Sequence, residues 1–259
     1  MIFYLSGTGN TRWAAQRLSA ITGERLVNIA DVFDGDCQFT LGENERIGFC
    51  FPVHGWRPPR LVRQFIGKLH IGNAEGHYGY ALCTAGDNIG ETFDIFERDL
   101  ANAGIWLSSR CSLLMPESYV GLPFMDVDQP AKEKAKKSTA AEQLEGYAQH
   151  VLERKQTDGP IVRGRWPRIN SRLLGGYFIN HLVTDKPFRV DDTRCIRCGQ
   201  CATVCPVGNI EGGKDRLPEW RHTGQCLTCF ACYHHCPRHA IAFGSRTKGK
   251  GQYYYKPNI

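Results

Sequence analysis

The chain has 259 residues, 42% apolar and 22% charged, with a formal net charge of +6. At ~150 residues per domain that is room for about two globular domains, and the composition excludes a disordered, collagen-like or coiled-coil chain. Its apolar runs fall short of the ~20 residues of a membrane span, and the run ending at Leu5 is too short for a signal-peptide core, so a cytoplasmic protein is expected.

A β-prone run, Ile2 to Leu5, stops at the small-residue loop Ser6-Gly7-Thr8-Gly9-Asn10-Thr11 and continues into a helical pattern, Arg12 to Ile21. Strand, small-residue loop and helix form a phosphate-binding arrangement: Gly7 and Gly9 permit close backbone approach, Ser6, Thr8 and Thr11 supply hydroxyls, and the helix N-terminus favours an anion. Further strand candidates are Arg25 to Ile29, Arg46 to Phe51, Tyr78 to Cys83 and Ile105 to Leu114. Helical stretches follow at Arg60 to Leu69, Ile89 to Ala103 and Ala131 to Gln156. Two of the strands run into loops, Pro52-Val53-His54-Gly55-Trp56 and Thr84-Ala85-Gly86-Asp87-Asn88. This alternation predicts an α/β domain over 1–158, a doubly wound parallel sheet with its ligand site at the carboxyl ends of the strands.

Asp158-Gly159-Pro160 punctuates the pattern. The connector that follows, 159–185, is basic, and Leu174, Tyr177, Phe178, His181 and Leu182 recur in it at helical spacing. A strap helix docking one domain on the other is expected, with membrane or nucleic-acid contact the less favoured alternative. A Cys-rich unit occupies 186–246, and the tail, 247–259, reads as mobile.

Cysteine and charge both divide the chain. Eight of its twelve cysteines lie between Cys195 and Cys236, where metal ligation is a better reading than disulfides for a chain expected among reduced thiols. Residues 1–158 carry 16 Lys and Arg against 20 Asp and Glu, a net −4, while 159–259 carry 16 against 6, a net +10. Bound clusters of about −2 each would offset much of that excess, so no nucleic-acid partner is expected.

The eight cysteines form two runs, Cys195-x₂-Cys198-x₂-Cys201-x₃-Cys205-Pro206 and Cys226-x₂-Cys229-x₂-Cys232-x₃-Cys236-Pro237. Three close thiolates wrap three corners of a cube, and the fourth Cys, leaving in a new direction before Pro, is better placed for the other cube. Crossed ligation is therefore expected, with Cys195, Cys198, Cys201 and Cys236 on one cluster and Cys226, Cys229, Cys232 and Cys205 on the other. This part resembles the two-[4Fe-4S] bacterial-type ferredoxin domain. Structural zinc is the alternative for paired C-x₂-C units. His234 and His235 are expected at the surface or near sulfur rather than as ligands. Cys37, Cys50, Cys83 and Cys111 lack metal spacing and read as buried small apolar residues.

The Ser6–Thr11 loop resembles the phosphate loop of flavodoxins, and the resemblance spans residues 1 to about 156. It implies FMN, with the Pro52–Trp56 and Thr84–Asn88 loops flanking the isoalloxazine ring and Trp56 as the stacking candidate; the alternative for Trp56 is a contact with the Cys-rich domain. Met115 to Tyr119 is similar to a segment of flavodoxin–ferredoxin fusions, and its expected role goes no further than an approach of Tyr119 to the ring. The whole order is similar to the fusion family called EFR1-type ferredoxins. That resemblance implies an electron-transfer iron–sulfur flavoprotein with two [4Fe-4S] clusters and FMN, redox proteins as partners, and conversion between one-electron and two-electron steps. The alternative is an FMN-dependent reductase of a small acceptor such as a quinone or nitro compound. No acid–base pair is assigned, and no G-x-G-x-x-G fingerprint supports nicotinamide binding.

Overall fold

A computed structural model of the chain describes residues 1–256. In chain order the first part contains β1 (Ile2–Tyr4), α1 (Asn10–Thr22), β2 (Leu26–Asn28), α2 (Ile29–Val32), β3 (Gln38–Phe39), β4 (Ile47–Pro52), α3 (Arg60–Lys68), β5 (His70–Ile71), β6 (Gly79–Ala85), α4 (Thr92–Asn102), β7 (Ser109–Leu114) and α5 (Pro130–Leu152). Five of the strands form one parallel sheet in the order β2-β1-β4-β6-β7. This is the doubly wound, flavodoxin-like order, in which the chain reverses direction between β1 and β4 and opens a crevice at their carboxyl ends. The short α2 and the two-residue β3–β5 ribbon were not expected from the sequence.

Helices cover both faces of the sheet, so its central strands are apolar throughout. On one face Phe3, Phe49, Phe51, Phe65 and Phe96 pack under α3 and α4. On the other, Ile2, Cys50, Leu82 and Cys111 meet Ala14, Leu18 and Leu144 of α1 and α5. All four cysteines outside the two runs are buried, as expected.

The Cys-rich part is a smaller α+β unit of β8 (Phe188–Val190), α7 (Gln200–Thr203), β9 (Ile210–Gly213), β10 (Arg216–Trp220), α8 (Ala231–His234) and β11 (Ile241–Phe243). Its antiparallel pairs β8–β11 and β9–β10 enclose a separate core around Phe188, Ile210, Phe230, Tyr233 and Phe243.

Between the two units, Ile169–Leu174 and Phe178–Leu182 are π-helical and flank α6 (Gly175–Tyr177), together making the strap. Its docking face agrees with the expected stripe at Phe178 and departs from it at Leu174 and Tyr177. Leu174 and Tyr177 are exposed, and the residues pressed inward are Ser171, Gly175 and Phe178. The Ser171 hydroxyl accepts from the Glu91 N–H (2.7 Å) and donates to the Trp56 carbonyl (2.9 Å). A Cβ on Gly175 would overlap the Gly55 carbonyl oxygen. Backbone approach this close selects small residues, which turns the bulky stripe outward. The expected charge complementarity is present: Arg172 grips Glu91 with two hydrogen bonds (2.8 and 3.0 Å), and Arg163 pairs with Asp94 (2.6 Å).

The tail also departs from expectation. Its described residues pack on α1 and the phosphate loop: Tyr255 N–H donates to the Thr8 carbonyl (2.7 Å), Tyr253 Oη donates to Asn10 Oδ1 (2.6 Å), and the Tyr255 ring stacks on Trp13 at 5.2 Å. Tyrosine rings give this polar segment apolar area to bury. The rest of the expected mobile tail, residues 257–259, lies outside the described residues. Among the described residues no helix is long and apolar enough to cross a membrane.

Candidate cofactor sites

The two cysteine runs adopt the same backbone course. Left-handed residues recur at matching offsets: Arg197 and Thr228 lie between the first and second cysteines of their runs, Gly199 and Phe230 follow the second, and Gly208 and His239 lie three residues after the fourth. A left-handed conformation costs an L-residue roughly 1–2 kcal/mol, so its repetition at Arg197, Thr228, Phe230 and His239 marks loops bent for a purpose. One result is that amide N–H groups face sulfur. Thr228 N–H reaches Cys226 Sγ (3.3 Å), Asn209 N–H reaches Cys205 Sγ (3.3 Å) and Ala240 N–H reaches Cys236 Sγ (3.2 Å).

Cys195, Cys198, Cys201 and Cys236 line one small cavity, and Cys205, Cys226, Cys229 and Cys232 line another. Each cavity thus draws three thiols from one run and the fourth from the other. Burial pushes the Cys201 and Cys226 thiols up to about 11 and Cys229 up to about 12. The iron of a cluster held by each set would supply the positive charge that makes thiolates favourable at such depth, and the N–H···S bonds would stabilise them. The residues fit a four-thiolate cluster in both places.

His234, expected at the surface or near sulfur, is buried and has both ring nitrogens engaged. Nε2–H donates to the Ser118 carbonyl (2.7 Å), and Nδ1 accepts from the Tyr253 N–H (3.1 Å). It therefore ties α8 to the segment after β7 and to the tail. His235 stacks on Tyr254 at 4.2 Å.

At the carboxyl ends of the sheet lies a cavity of about 380 Å³. Ser6, Gly7, Thr8, Asn10 and Thr11 line it together with Pro52–Trp56 and Thr84–Asn88. Of the residues expected at the flavin, only Gly9 lies off this wall; it faces Tyr255, whose Cβ would be 3.1 Å from a Cβ at Gly9. α1 begins on Gly9, which offers no side-chain cap, and has no acidic residue in its first turn; Ser6 Oγ meets only the Arg12 N–H (3.2 Å), so the N-terminal end of the helix remains suited to an anion. Thr11 Oγ1 is 2.8 Å from Thr84 Oγ1, which joins the first loop to the third.

The wall also brings together Glu117, which has no expected role from the sequence, with Tyr119 and His54, which were expected at the ring. Glu117 accepts from the Ser118 and Tyr119 N–H groups (2.9 and 2.7 Å), and burial raises its carboxyl. The Tyr119 phenol oxygen is buried without a hydrogen-bond partner, and burial keeps the phenol protonated. His54 is lowered to about 4 by burial, so its imidazole is neutral at pH 7. A helix N-terminus without acidic residues, an apolar-walled cavity of this volume and an unpaired phenol together fit a planar cofactor with a phosphate tail. The similarity of Met115–Tyr119 to fusion proteins was the one sequence signal for this wall; Phe178 and Leu227–Cys229, which also line it, gave none.

Cys229 belongs to both the second cysteine cavity and this larger one. A Cβ built on Gly7 would lie 2.9 Å from Cys229 Cβ and 3.2 Å from its Sγ, so the phosphate loop and the cysteine loop are in direct contact.

Residues 188–237 match the family described as 4Fe-4S dicluster domain. No curated protein matches the chain. Among solved structures, a putative flavoprotein from Bacteroides uniformis ATCC 8492 is 17% identical over 44% of this chain and 88% of its own, with a TM-score of 0.36. The flavodoxin of Streptococcus pneumoniae TIGR4 is 15% identical over 56% of this chain and 97% of its own, with a TM-score of 0.30. Rubredoxin oxygen:oxidoreductase from Desulfovibrio gigas is 16% identical over 56% of this chain and 35% of its own, also with a TM-score of 0.30. The flavodoxin-like architecture rests on the strand order, and the C-terminal part is similar to 4Fe-4S dicluster domains.

Proposed function

We propose that the chain is an electron-transfer iron–sulfur flavoprotein of the EFR1-type order: an FMN domain over 1–158, a basic linker over 159–185 and a two-[4Fe-4S] domain over 186–246. Cys195, Cys198, Cys201 and Cys236 would hold one cluster, and Cys205, Cys226, Cys229 and Cys232 the other. When bound, the clusters supply one-electron chemistry and FMN paired-electron chemistry, so the chain converts between the two. The chain's own residues give the path an order. Cys198 is exposed, which opens its cavity to a redox protein partner, whereas Cys229 faces the flavin-sized cavity. Ser6, Thr8 and Thr11 would bind the phosphate, His54 to Trp56 and Thr84 to Asn88 would flank the ring, and Tyr119 would offer it a neutral donor.

The observation that carries this reading is the contact of Cys229 with Gly7. Rapid-mixing reduction of the clusters in the loaded protein, followed by flavin absorbance at several protein concentrations, tests it. A rate independent of concentration is expected; a rate rising in proportion to concentration would mean that electrons pass between molecules. The alternative, reduction of a small acceptor at the flavin, draws support from Leu122, Phe124 and Met125 on the cavity wall, with Phe124 largely exposed. Turnover of the reduced protein with a soluble quinone or nitro compound would favour it.

A further inference from the structure

Residues 161–184 contain four arginines and no acidic residue. On the outer side of the strap, Trp166, Ile169, Leu173, Leu174 and Tyr177 are 56, 50, 68, 47 and 59% exposed. Surface apolar residues normally occur singly, and a continuous stripe of five large ones marks an interaction site. Ser171 and Gly175, on the inner side, hold the helix against Trp56 and Gly55, so the stripe is presented already folded. Arg163 and Arg172 are anchored to the domain by Asp94 and Glu91. Arg165 and Arg168 are exposed and form no ion pair among the described residues, and the Arg165 guanidinium lies 5.2 Å from the Trp166 ring.

We propose that this outer face docks on an anionic lipid surface, with the strap lying in the plane of the interface, its apolar stripe sunk among the acyl chains and Arg165 and Arg168 at the headgroups. Three features favour lipid over a protein groove or a second copy. The stripe is exposed along its length, and a fluid layer accepts exposed apolar side chains without a matching cleft. Trp166 and Tyr177 stand at its two ends with aliphatic residues between, and both residue types settle at headgroup level. The two unpaired guanidinium groups, Arg165 and Arg168, attract anionic headgroups and repel the same face of another copy. Phe178 of the strap lines the large cavity, so docking would bring that cavity close to the bilayer. The inference does not depend on the electron-transfer reading.

The test is co-sedimentation of the full-length, cofactor-loaded protein with phosphatidylcholine vesicles, with and without phosphatidylglycerol. Binding is expected to the anionic vesicles, weakening as salt rises. Arg165→Glu with Arg168→Glu, and separately Trp166→Ser with Leu173→Ser, should each lower partitioning at least about tenfold. Unchanged iron content and circular dichroism would show that the variants fold. A wild type that stays in solution with both vesicle types, or variants that bind as it does, overturns the proposal. So does sedimentation velocity showing a wild-type dimer that Trp166→Ser with Leu173→Ser makes monomeric, or retention by an acidic protein and not by vesicles.

Discussion

Gly7→Ala places one methyl carbon where the phosphate loop meets the cysteine loop. The new Cβ would lie 2.9 Å from Cys229 Cβ and 3.2 Å from Sγ, against the 3.4–4 Å of ordinary contact. Gly7 is not in the left-handed region, so Ala brings no backbone strain and the whole effect comes from this contact. Overpacking of this size costs ~1–3 kcal/mol, or a roughly 5- to 150-fold change in an equilibrium constant. We expect FMN affinity, measured by fluorescence titration, to weaken within that range. Flavin reduction by the clusters should slow as the loops part, with iron content unchanged. Gly67→Ala is the control: Gly67 is exposed on α3 with no atom within 4 Å of a built Cβ, and Ala there should raise stability by ~0.5–1 kcal/mol and leave FMN binding alone. If Gly7→Ala binds FMN within about twofold of wild type and transfers electrons at the same rate, the two loops do not touch and the path through Cys229 is wrong.

Three further outcomes are expected. The wild type should carry about eight iron atoms, and Cys205→Ala about four; adding Cys226→Ala should then remove little more, whereas adding Cys195→Ala should remove nearly all, and the reverse pattern would mean that each run ligates its own cluster. Ser171→Ala leaves the buried Glu91 N–H and Trp56 carbonyl without their partner, at ~1–3 kcal/mol, and an unchanged urea midpoint would remove Ser171 from the docking of the strap. Burial holds the His54 imidazole near 4 against 6.5 for the free side chain, so between these values the unfolded chain takes up a proton that the folded chain does not. Its contribution is complete above about pH 6.5 and declines as pH falls toward 4; His54→Gln should flatten this part of the curve of urea midpoint against pH, and an unaltered slope would show the ring to be solvated.

Features whose signal is local are legible in the order of the amino acids. Apolar runs in β4 and β6 identify strands buried on both faces, and their alternation with helical patterns leads to a parallel sheet with its loops at one end. Two-residue spacings in the cysteine runs keep the first three thiols of each run together, so those triplets are legible in the spacing, whereas the fourth thiol of each cavity arrives from the other run. How distant parts of the chain meet emerges from the folded arrangement. Gly7 and Cys229 are 222 positions apart, and nothing in either neighbourhood encodes their contact. The tail's tyrosines and His234 likewise acquire their roles from elements far along the chain. The strap shows the limit most directly: of the expected stripe Leu174, Tyr177, Phe178 and Leu182, Phe178 does pack inward, but Leu174 and Tyr177 face out, and the side that docks is the one where Ser171 and Gly175 let two backbones approach. Periodicity records where apolar side chains point, while packing depends on which surfaces can come close, and that is a property of both partners.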